Sequence, residues 1–234
     1  MLYTILITTY ECYGVGKILL EENLSIIINQ SYRPIQVVIS DHSKDDLIKN
    51  YVESVKPQSV DIVYTKYSEN YGSPCHNWNN SLKYAKGSYI QYLALDDMLE
   101  NKDSVKNAVN FMNLRPNTNW FVTAHRIHPS GETFIPKWNS NILMRNTVSG
   151  PSAIIIREGL KGVKMDPEFI WYLDLDWYYR LYKEGGQPGI IQFIHWINRK
   201  HPLQLTHTVC SNSIRENEKQ KLLKKYGDPL PTSA

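Results

Sequence analysis

Two adjacent carboxylates, Asp96-Asp97, close the apolar run Tyr89–Leu95. At the open end of a buried strand, such a pair can hold Mg²⁺ or Mn²⁺ through few protein ligands, leaving the other positions to water and phosphate oxygens. A cation there would neutralise charge developing on a leaving diphosphate. The competing role for Asp97 is to start a following helix, as Asp often does. Asp41-His42-Ser43 offers a carboxylate to a nucleobase or ribose, or serves only its own turn, since Asp and Ser bond their own backbone. Asn70-Tyr71-Gly72 and His76-Asn77-Trp78-Asn79 flank a helix start, where amides bond a diphosphate or cap the helix. The segment Trp171–Arg180 sets Asp174 and Asp176 among aromatics. Asp174 is either a helix cap or a general base whose pKa is raised by an apolar cleft. Asp176 and Arg180, four residues apart, are expected to pair on the helix surface for about 0.2–0.5 kcal/mol.

The elements that must position these groups follow from periodicity. Leu2–Thr9 is a continuous apolar and β-branched run, the pattern of a strand buried on both faces. Helix-like spacing over Gly16–Asn29, a strand at Ile35–Ser40, a helix over Asp45–Val55, a strand at Val60–Thr65, a helix over Ser73–Ala85 and a strand at Tyr89–Leu95 complete the first half. Alternation with short connections implies a mostly parallel α/β sheet with right-handed crossovers. Ligands of such sheets sit beyond the carboxyl ends of the strands. Thr8, Thr9, Tyr10 and Glu11 follow the first strand, Asp41 the second and Asp96 the fourth. In the second half, Phe121–Ile127, Ser152–Arg157 and Ile190–Ile197 read as strands, and Asp174–Glu184 as a helix stopped by Gly185-Gly186. A single domain over 1–234 is expected, residues 1–100 facing one substrate and 101–234 the other.

Several classes are disfavoured. The 26 Lys and Arg against 23 Asp and Glu leave a net charge of only +3, without the strong basic excess of a nucleic-acid binder. The longest apolar runs fall far short of the roughly 20 residues that span a bilayer. The N-terminus lacks the basic stretch and small-residue cleavage site of a secretory signal. Cys12, Cys75 and Cys210 lie far apart and show no metal spacing, which suggests reduced thiols and a cytoplasmic protein. Gly14-Val15-Gly16-Lys17 is no phosphate loop, because Ile18 stands where Ser or Thr is required.

Taken together, these residues resemble the family 2 inverting glycosyltransferases of GT-A fold, from Thr4 to about Tyr226. The likeness runs through Ile7–Glu11, Asn29-Gln30-Ser31-Tyr32, Val38–Asp45, Asn70-Tyr71-Gly72, Asn77-Trp78-Asn79, Ala85-Lys86-Gly87 and Leu93–Asp97. It continues through Ser149-Gly150-Pro151-Ser152, through Asp174 placed six residues before Arg180, and through Arg199-Lys200-His201-Pro202. The resemblance implies a nucleotide-sugar donor, uridine- or deoxythymidine-linked, held by Thr8, Thr9, Tyr10, Glu11, Asp41, Asn70, Gly72, Asn77, Asn79 and Asp96. It further implies a divalent Mn²⁺ or Mg²⁺ at Asp96, Asp97 and His201, and Asp174 as the base that deprotonates an acceptor hydroxyl. Gly150, Trp171 and Asp176 fall on the acceptor side, where a glycan or another hydroxyl compound would bind. Ala94 replaces the first acid of the family's Asp-x-Asp, Leu173 replaces an acid before Asp174, and Glu11 replaces an Asn. The alternatives are a non-catalytic nucleotide-sugar-binding module and a nucleotidyltransferase. The latter would want a glycine-rich loop where this chain has Tyr10–Tyr13. Peripheral contact with a membrane remains compatible with this reading; nucleic acid is not an expected partner.

Overall fold

Tyr3–Thr9 forms the central strand β1, and six of its seven residues are buried. A strand covered by helices on both faces must be apolar on both. The computed structural model describes residues 1–227 apart from 56, 58, 140 and 144, with the side chains of 205 and 206 set aside. The expected domain's last residues, 228–234, lie outside the described residues. After β1 come helix α1 (Gly16–Ile28), β2 (Ile35–Asp41), α2 (Leu47–Ser54), β3 (Asp61–Lys66), α3 (Pro74–Lys83) and β4 (Tyr89–Ala94). The second half adds β5 (Met98–Leu99), α4 (Ser104–Asn113), β6 (Trp120–His128), β7 (Thr133–Phe134), β8 (Ile154–Arg157), α5 (Leu173–Gly185), β9 (Gly189–Arg199), α6 (Leu205–Thr208) and α7 (Asn212–Tyr226).

One sheet runs in the order β3-β2-β1-β4-β8-β6-β9-β5, with β7 paired to β6. The four strands of the first half are parallel. The second half is mixed: β8 is antiparallel to both β4 and β6, β6 is parallel to β9, and β5 is antiparallel to β9. Register sets Thr9 opposite Asp41, Asp41 opposite Lys66 and Thr8 opposite Ala94, so the carboxyl ends of β1 to β4 finish side by side.

The alternate faces of the strands build two apolar layers. Tyr3, Ile5 and Ile7 pack with Leu20, Leu24 and Ile27 of α1, Ile48 and Val52 of α2, and Val105, Ala108, Val109 and Met112 of α4. Leu6, Val38 and Tyr92 face the opposite way, toward Trp78 and Leu82 of α3, Leu175, Trp177 and Leu181 of α5, and Leu222 of α7. Trp177 is fully buried core, and Trp138 packs edge-on against Trp120 at 5.1 Å. Among the described residues, no helix is long and apolar enough to cross a membrane.

Candidate active site

A cavity of about 440 Å³ opens beyond the carboxyl ends of β1, β2 and β4. Thr8, Ala94 and Asp96 line its strand side, Tyr10, Glu11, Cys12 and Tyr13 one wall, and His42, Gly72, Asn77 and Trp78 the other. His201, Leu203 and Gln204 close it from the C-terminal part of the chain. The first wall is shaped by an unusual turn: Cys12, Tyr13 and Gly14 have φ of 44°, 54° and 92°. Non-glycine residues in the left-handed region carry strain of order 1–3 kcal/mol and concentrate at functional sites. The same turn needs glycine at 16, where a Cβ would stand 2.1 Å from the Tyr10 carbonyl oxygen.

Across the mouth, the Glu11 carboxylate accepts the Tyr71 hydroxyl proton and, at 3.3 Å, the Lys44 backbone N–H. The Lys44 ammonium lies 4.4 Å over the Tyr71 ring. His42 sits 5.2 Å from both the Tyr67 and Tyr71 rings and donates Nε2–H to the Glu69 carbonyl at 2.9 Å. Asn77 is held by two bonds, accepting from Ser40 Oγ at 2.6 Å and donating to the Thr9 carbonyl at 3.2 Å.

Asp96 is the polar focus of the cavity. His201 Nε2 and Gln204 Nε2 lie 3.1 and 3.2 Å from its Oδ2, and Arg199 Nε donates to its backbone carbonyl at 2.6 Å. Arg199 is itself anchored on the Glu22 carboxylate. Among the described residues, those lining the cavity include Glu11 and Asp96 but neither lysine nor arginine.

The residues expected on the acceptor side include Trp171, Asp174 and Asp176, which lie around the start of α5. Asp174, partly buried, accepts the Asn146 amide at 2.7 Å on Oδ2 and the Leu175 N–H at 2.8 Å on Oδ1. Burial pushes its carboxyl up to about 7, against the downward pull of these N–H donors. Three successive N–H groups ahead of the helix, of Ile170, Trp171 and Tyr172, donate to the buried Glu218 carboxylate of α7 at 2.7–2.9 Å. This internal anion occupies a position where a helix start favours negative charge. Trp171 is covered by the Arg215 guanidinium, 4.0 Å from its ring.

Five expected site residues have other work. Asp41 is fully buried beneath the cavity and accepts from Thr9 Oγ1, the Ser43 N–H, the Tyr64 hydroxyl and Lys66 Nζ at 3.2, 2.9, 2.8 and 3.4 Å. Its neighbour His42 lines the cavity instead. Asn79 exchanges two bonds with the Met165 backbone, at 2.8 and 2.9 Å, and so ties α3 to the loop before α5. Asn70 is exposed and its amide reaches only Tyr67, at 3.3 Å. Asp97 turns away from Asp96 and His201 and accepts the Ser152 hydroxyl at 2.5 Å; it precedes the short strand β5, not a helix. Burial and the nearby Asp96 charge hold its carboxyl well above the ordinary range. Asp176 does pair with Arg180, at 2.5 Å, but with no exposure at all. Its other oxygen takes Lys225 Nζ at 2.8 Å and the Tyr226 hydroxyl at 2.6 Å, so it is a buried hub and not an acceptor contact. Gln204, Glu218 and Asn146 were not foreseen. Gln204 alone had a sequence clue, standing three residues after His201.

A family model described as Glycosyl transferase family 2 matches residues 4–173. Among curated proteins, the GalNAc(5)-diNAcBac-PP-undecaprenol beta-1,3-glucosyltransferase of Campylobacter jejuni is 29% identical over 83 residues, 36% of this chain and 27% of that protein. Among solved structures, S. aureus TarS 1-349 in complex with UDP-GlcNAc aligns with a TM-score of 0.75 over 95% of this chain and 65% of that one, at 16% identity. The mannosyltransferase PcManGT from Pyrobaculum calidifontis, in complex with GDP-Man and Mn²⁺, aligns with a TM-score of 0.61 over 93% and 60%, at 15% identity. The match thus spans about a quarter of the curated relative's length, and the two structural likenesses, at these identities, speak to the fold.

Proposed function

The chain belongs to glycosyl transferase family 2, and from that premise we propose that it moves a sugar from a nucleoside-diphosphate donor to an acceptor hydroxyl with inversion, Asp174 taking the hydroxyl proton. The observation that carries the reading is the cavity beyond β1, β2 and β4, with Asp96, His201 and Gln204 converging at one side and aromatic rings at its rim. The flat faces of Tyr10, His42 and Tyr71 suit stacking on a nucleobase, and the uridine- or deoxythymidine-linked donor is favoured by the UDP-GlcNAc bound in the TarS structure of the same fold. Asp41 would act on this rim from beneath, by holding the turn that carries His42.

The donor set fits a divalent cation. A diphosphate entering a cavity with two carboxylates and no lysine or arginine in its lining needs positive charge from elsewhere. Asp96 and His201, an oxygen and a nitrogen 3.1 Å apart, would hold Mg²⁺ or Mn²⁺, with diphosphate oxygens and water completing the shell. Asp97 is not available to it. Among the described residues, no group of three or more His, Cys, Asp or Glu side chains stands ready for an ion, so the ion and the donor would arrive as partners. When bound, the ion would offset charge on the departing diphosphate.

The rest of the step falls to the chain. The acceptor oxygen attacks the anomeric carbon from the face opposite the diphosphate, through an oxocarbenium-like state as in glycoside hydrolysis. As the C–O bond to the acceptor forms and the bond to the diphosphate breaks, the hydroxyl proton passes to Asp174. A base with a pKa near 7 suits this work at neutral pH. The product is a glycoside of a glycan or another hydroxyl compound, released with a nucleoside diphosphate. The unpaired Cys12, Cys75 and Cys210 support a reducing, cytoplasmic setting. A thermal-shift screen of nucleotide sugars with and without Mn²⁺ tests the donor assignment: a ligand at 100 Kd should add about 2.7 kcal/mol of apparent stability. Uridine or deoxythymidine donors should stabilise most, and more strongly with the metal than without it. Equal stabilisation by guanosine donors overturns the base preference, and binding without any release of nucleoside diphosphate would leave a binding module.

A further inference from the structure

The segment between β7 and β8 carries a side chain that no part of the foregoing chemistry uses, and whose hydrogen bonds are all committed. Asn146 Oδ1 accepts the backbone N–H groups of Val148 and Ser149 at 3.0 and 2.9 Å. Its Nδ2 donates to the Ser149 carbonyl at 3.1 Å and to Asp174 Oδ2 at 2.7 Å. An amide has two donors and an acceptor oxygen with two lone pairs, and all four are spent here. Two N–H groups must meet the oxygen, so the amide has one orientation, and its NH₂ is forced toward Asp174.

We propose that Asn146 is the positioning residue of the general base, locking the Asp174 carboxylate in place and favouring its charged, proton-accepting form; this rests on Asp174 being that base. The turn is anchored at both ends. Ser149, at a φ of 88°, gives its carbonyl also to the Tyr178 hydroxyl of α5, at 2.9 Å. Ser152 accepts the Ala94 N–H at 2.9 Å and donates to Asp97. Asn146 is thereby fixed against both the helix that carries Asp174 and the strand end that borders the donor cavity. A left-handed serine held by three hydrogen bonds with two side chains is the kind of strain that persists only where the surroundings over-determine it.

The bond has a chemical consequence. With the Leu175 N–H on Oδ1 and the Asn146 amide on Oδ2, both oxygens of the Asp174 carboxylate are oriented by fixed donors. N–H donors favour the charged form of a carboxylate and so oppose the effect of burial. The titratable groups that sense Asp174 are the phenols of Tyr172 and Tyr178, both held protonated above their ordinary range, chiefly by burial. From α7, Glu218 is engaged by the 170–172 backbone and Arg215 lies against Trp171.

Asn146→Asp separates the two duties of the side chain. The new oxygen can still serve the Val148 and Ser149 N–H groups, but the donor facing Asp174 becomes a second carboxylate. The full chain, labelled with ¹³C at aspartate carboxyls, is titrated by NMR, with Asp174 assigned by the signal lost in Asp174→Asn. In Asn146→Asp the Asp174 signal should bind its proton at least about tenfold more tightly, as for like charges sharing a site. At pH 7 kcat should fall at least about fivefold, as the deprotonated fraction drops, the acidic limb of the pH profile should move up, and the donor KM should hold. Asn146→Ser, which keeps a turn-forming oxygen and removes the amide, should move the titration the same way by less; it serves as the test if Asn146→Asp does not fold. An unmoved Asp174 titration, or an unchanged pH profile, in a folded variant overturns the proposal. An active Asp174→Asn enzyme overturns instead the assignment of the base, so the two failures are distinguishable.

Discussion

The proposed donor side and the proposed acceptor side of this molecule are held together differently. On the donor side, four parallel strands end in register, and residues a few positions past each strand end reach one cavity: Thr8 and Tyr10 from β1, His42 from β2, Ala94 and Asp96 from β4. Strand geometry frames this cavity, and long-range polar bonds from the C-terminal part of the chain converge on one side chain, Asp96, which His201 and Gln204 reach. The acceptor side is held by polar bonds between distant parts of the chain. Asn146 reaches Asp174 across 28 residues, Glu218 reaches the 170–172 backbone across 46 to 48, and Lys225 reaches Asp176 across 49. A cavity framed by strand ends tolerates the loss of a lining side chain, whereas a site assembled from long-range polar bonds loses its shape with any one of them. Variants on the two sides should therefore differ in which quantity moves: ligand binding on the first, turnover and stability on the second.

The largest effect belongs to Asp174. Asp174→Asn keeps the shape of the side chain but cannot take a proton at neutral pH, so kcat should fall by about 10²–10⁴-fold. Donor KM should stay put, because the donor cavity is lined by other residues. In the unchanged enzyme, turnover should rise as pH passes through about 7, where Asp174 loses its proton. Stability carries the opposite sign. A carboxyl raised above its unfolded value leaves the native state holding more protons, so its contribution to stability falls as pH climbs from about 4 toward 7. Thermal melts of Asp174→Asn and the parent protein should coincide near pH 4 and diverge in favour of the variant by pH 8. Coincident melts at pH 8, with a turnover optimum well below pH 6, would remove Asp174 as the base and blur the contrast between the two sides.

How much of this was legible in the sequence follows from the same contrast. The strands and helices of the first half lie within about two residues of their expected bounds, because apolar runs and strand–helix alternation encode a parallel sheet directly. Thr8, Tyr10, Glu11, Gly72, Asn77, Asp96 and His201, named from the sequence, do line one cavity. What residue type could not reveal was direction. Asp41, Asn79 and Asp97 have the chemistry of ligand contacts, yet each turns inward to bonds that depend on three-dimensional neighbours. Helix α4 was overlooked although Val105, Ala108, Val109 and Met112 have helical spacing. Helix α7 gave no such signal: its buried residues are Glu218 and Leu222, and a single apolar residue makes no stripe. The clamp that α7 places on the acceptor side was invisible for that reason.

Asp176 comes next, and corrects the expectation of a cheap surface pair. Fully buried itself, and bonded to the partly exposed Arg180 and Lys225 and to the Tyr226 hydroxyl, it cannot be truncated without leaving these partners without their acceptor. Asp176→Ala should cost about 1.5–3 kcal/mol, the range for hydrogen bonds to charged groups, because Arg180 and Lys225 keep access to water. Denaturant melts measure this. A loss under about 1 kcal/mol would mean that water or Asp166, which also bonds Lys225, replaces the lost carboxylate. Donor binding, measured on the folded fraction, should be unaffected. If donor affinity falls with stability, the two sides are mechanically one unit and the contrast drawn above fails.

The smallest effect should come from Asp96, although it stands at the centre of its cavity. Its side chain is 24% exposed and, among the described residues, its carboxylate is bonded by His201 and Gln204, while Arg199 holds the backbone carbonyl, which substitution leaves intact. Asp96→Ala opens no core cavity, so its melting should stay within about 0.5 kcal/mol of the parent. Donor binding in Mn²⁺ should weaken by about tenfold, equivalent to about 1.4 kcal/mol, while binding without metal should barely change, because the variant loses an ion ligand and not a donor contact. His201→Ala should reproduce this pattern, and the double variant should be little worse than either single one, since both ligands serve the same ion. Calorimetric titration of a uridine diphosphate sugar into the four proteins, with and without Mn²⁺, reads all of these quantities. Additive losses from Asp96 and His201, or equal losses in the absence of metal, would show that the pair meets the donor directly and that the cavity supplies no ion site.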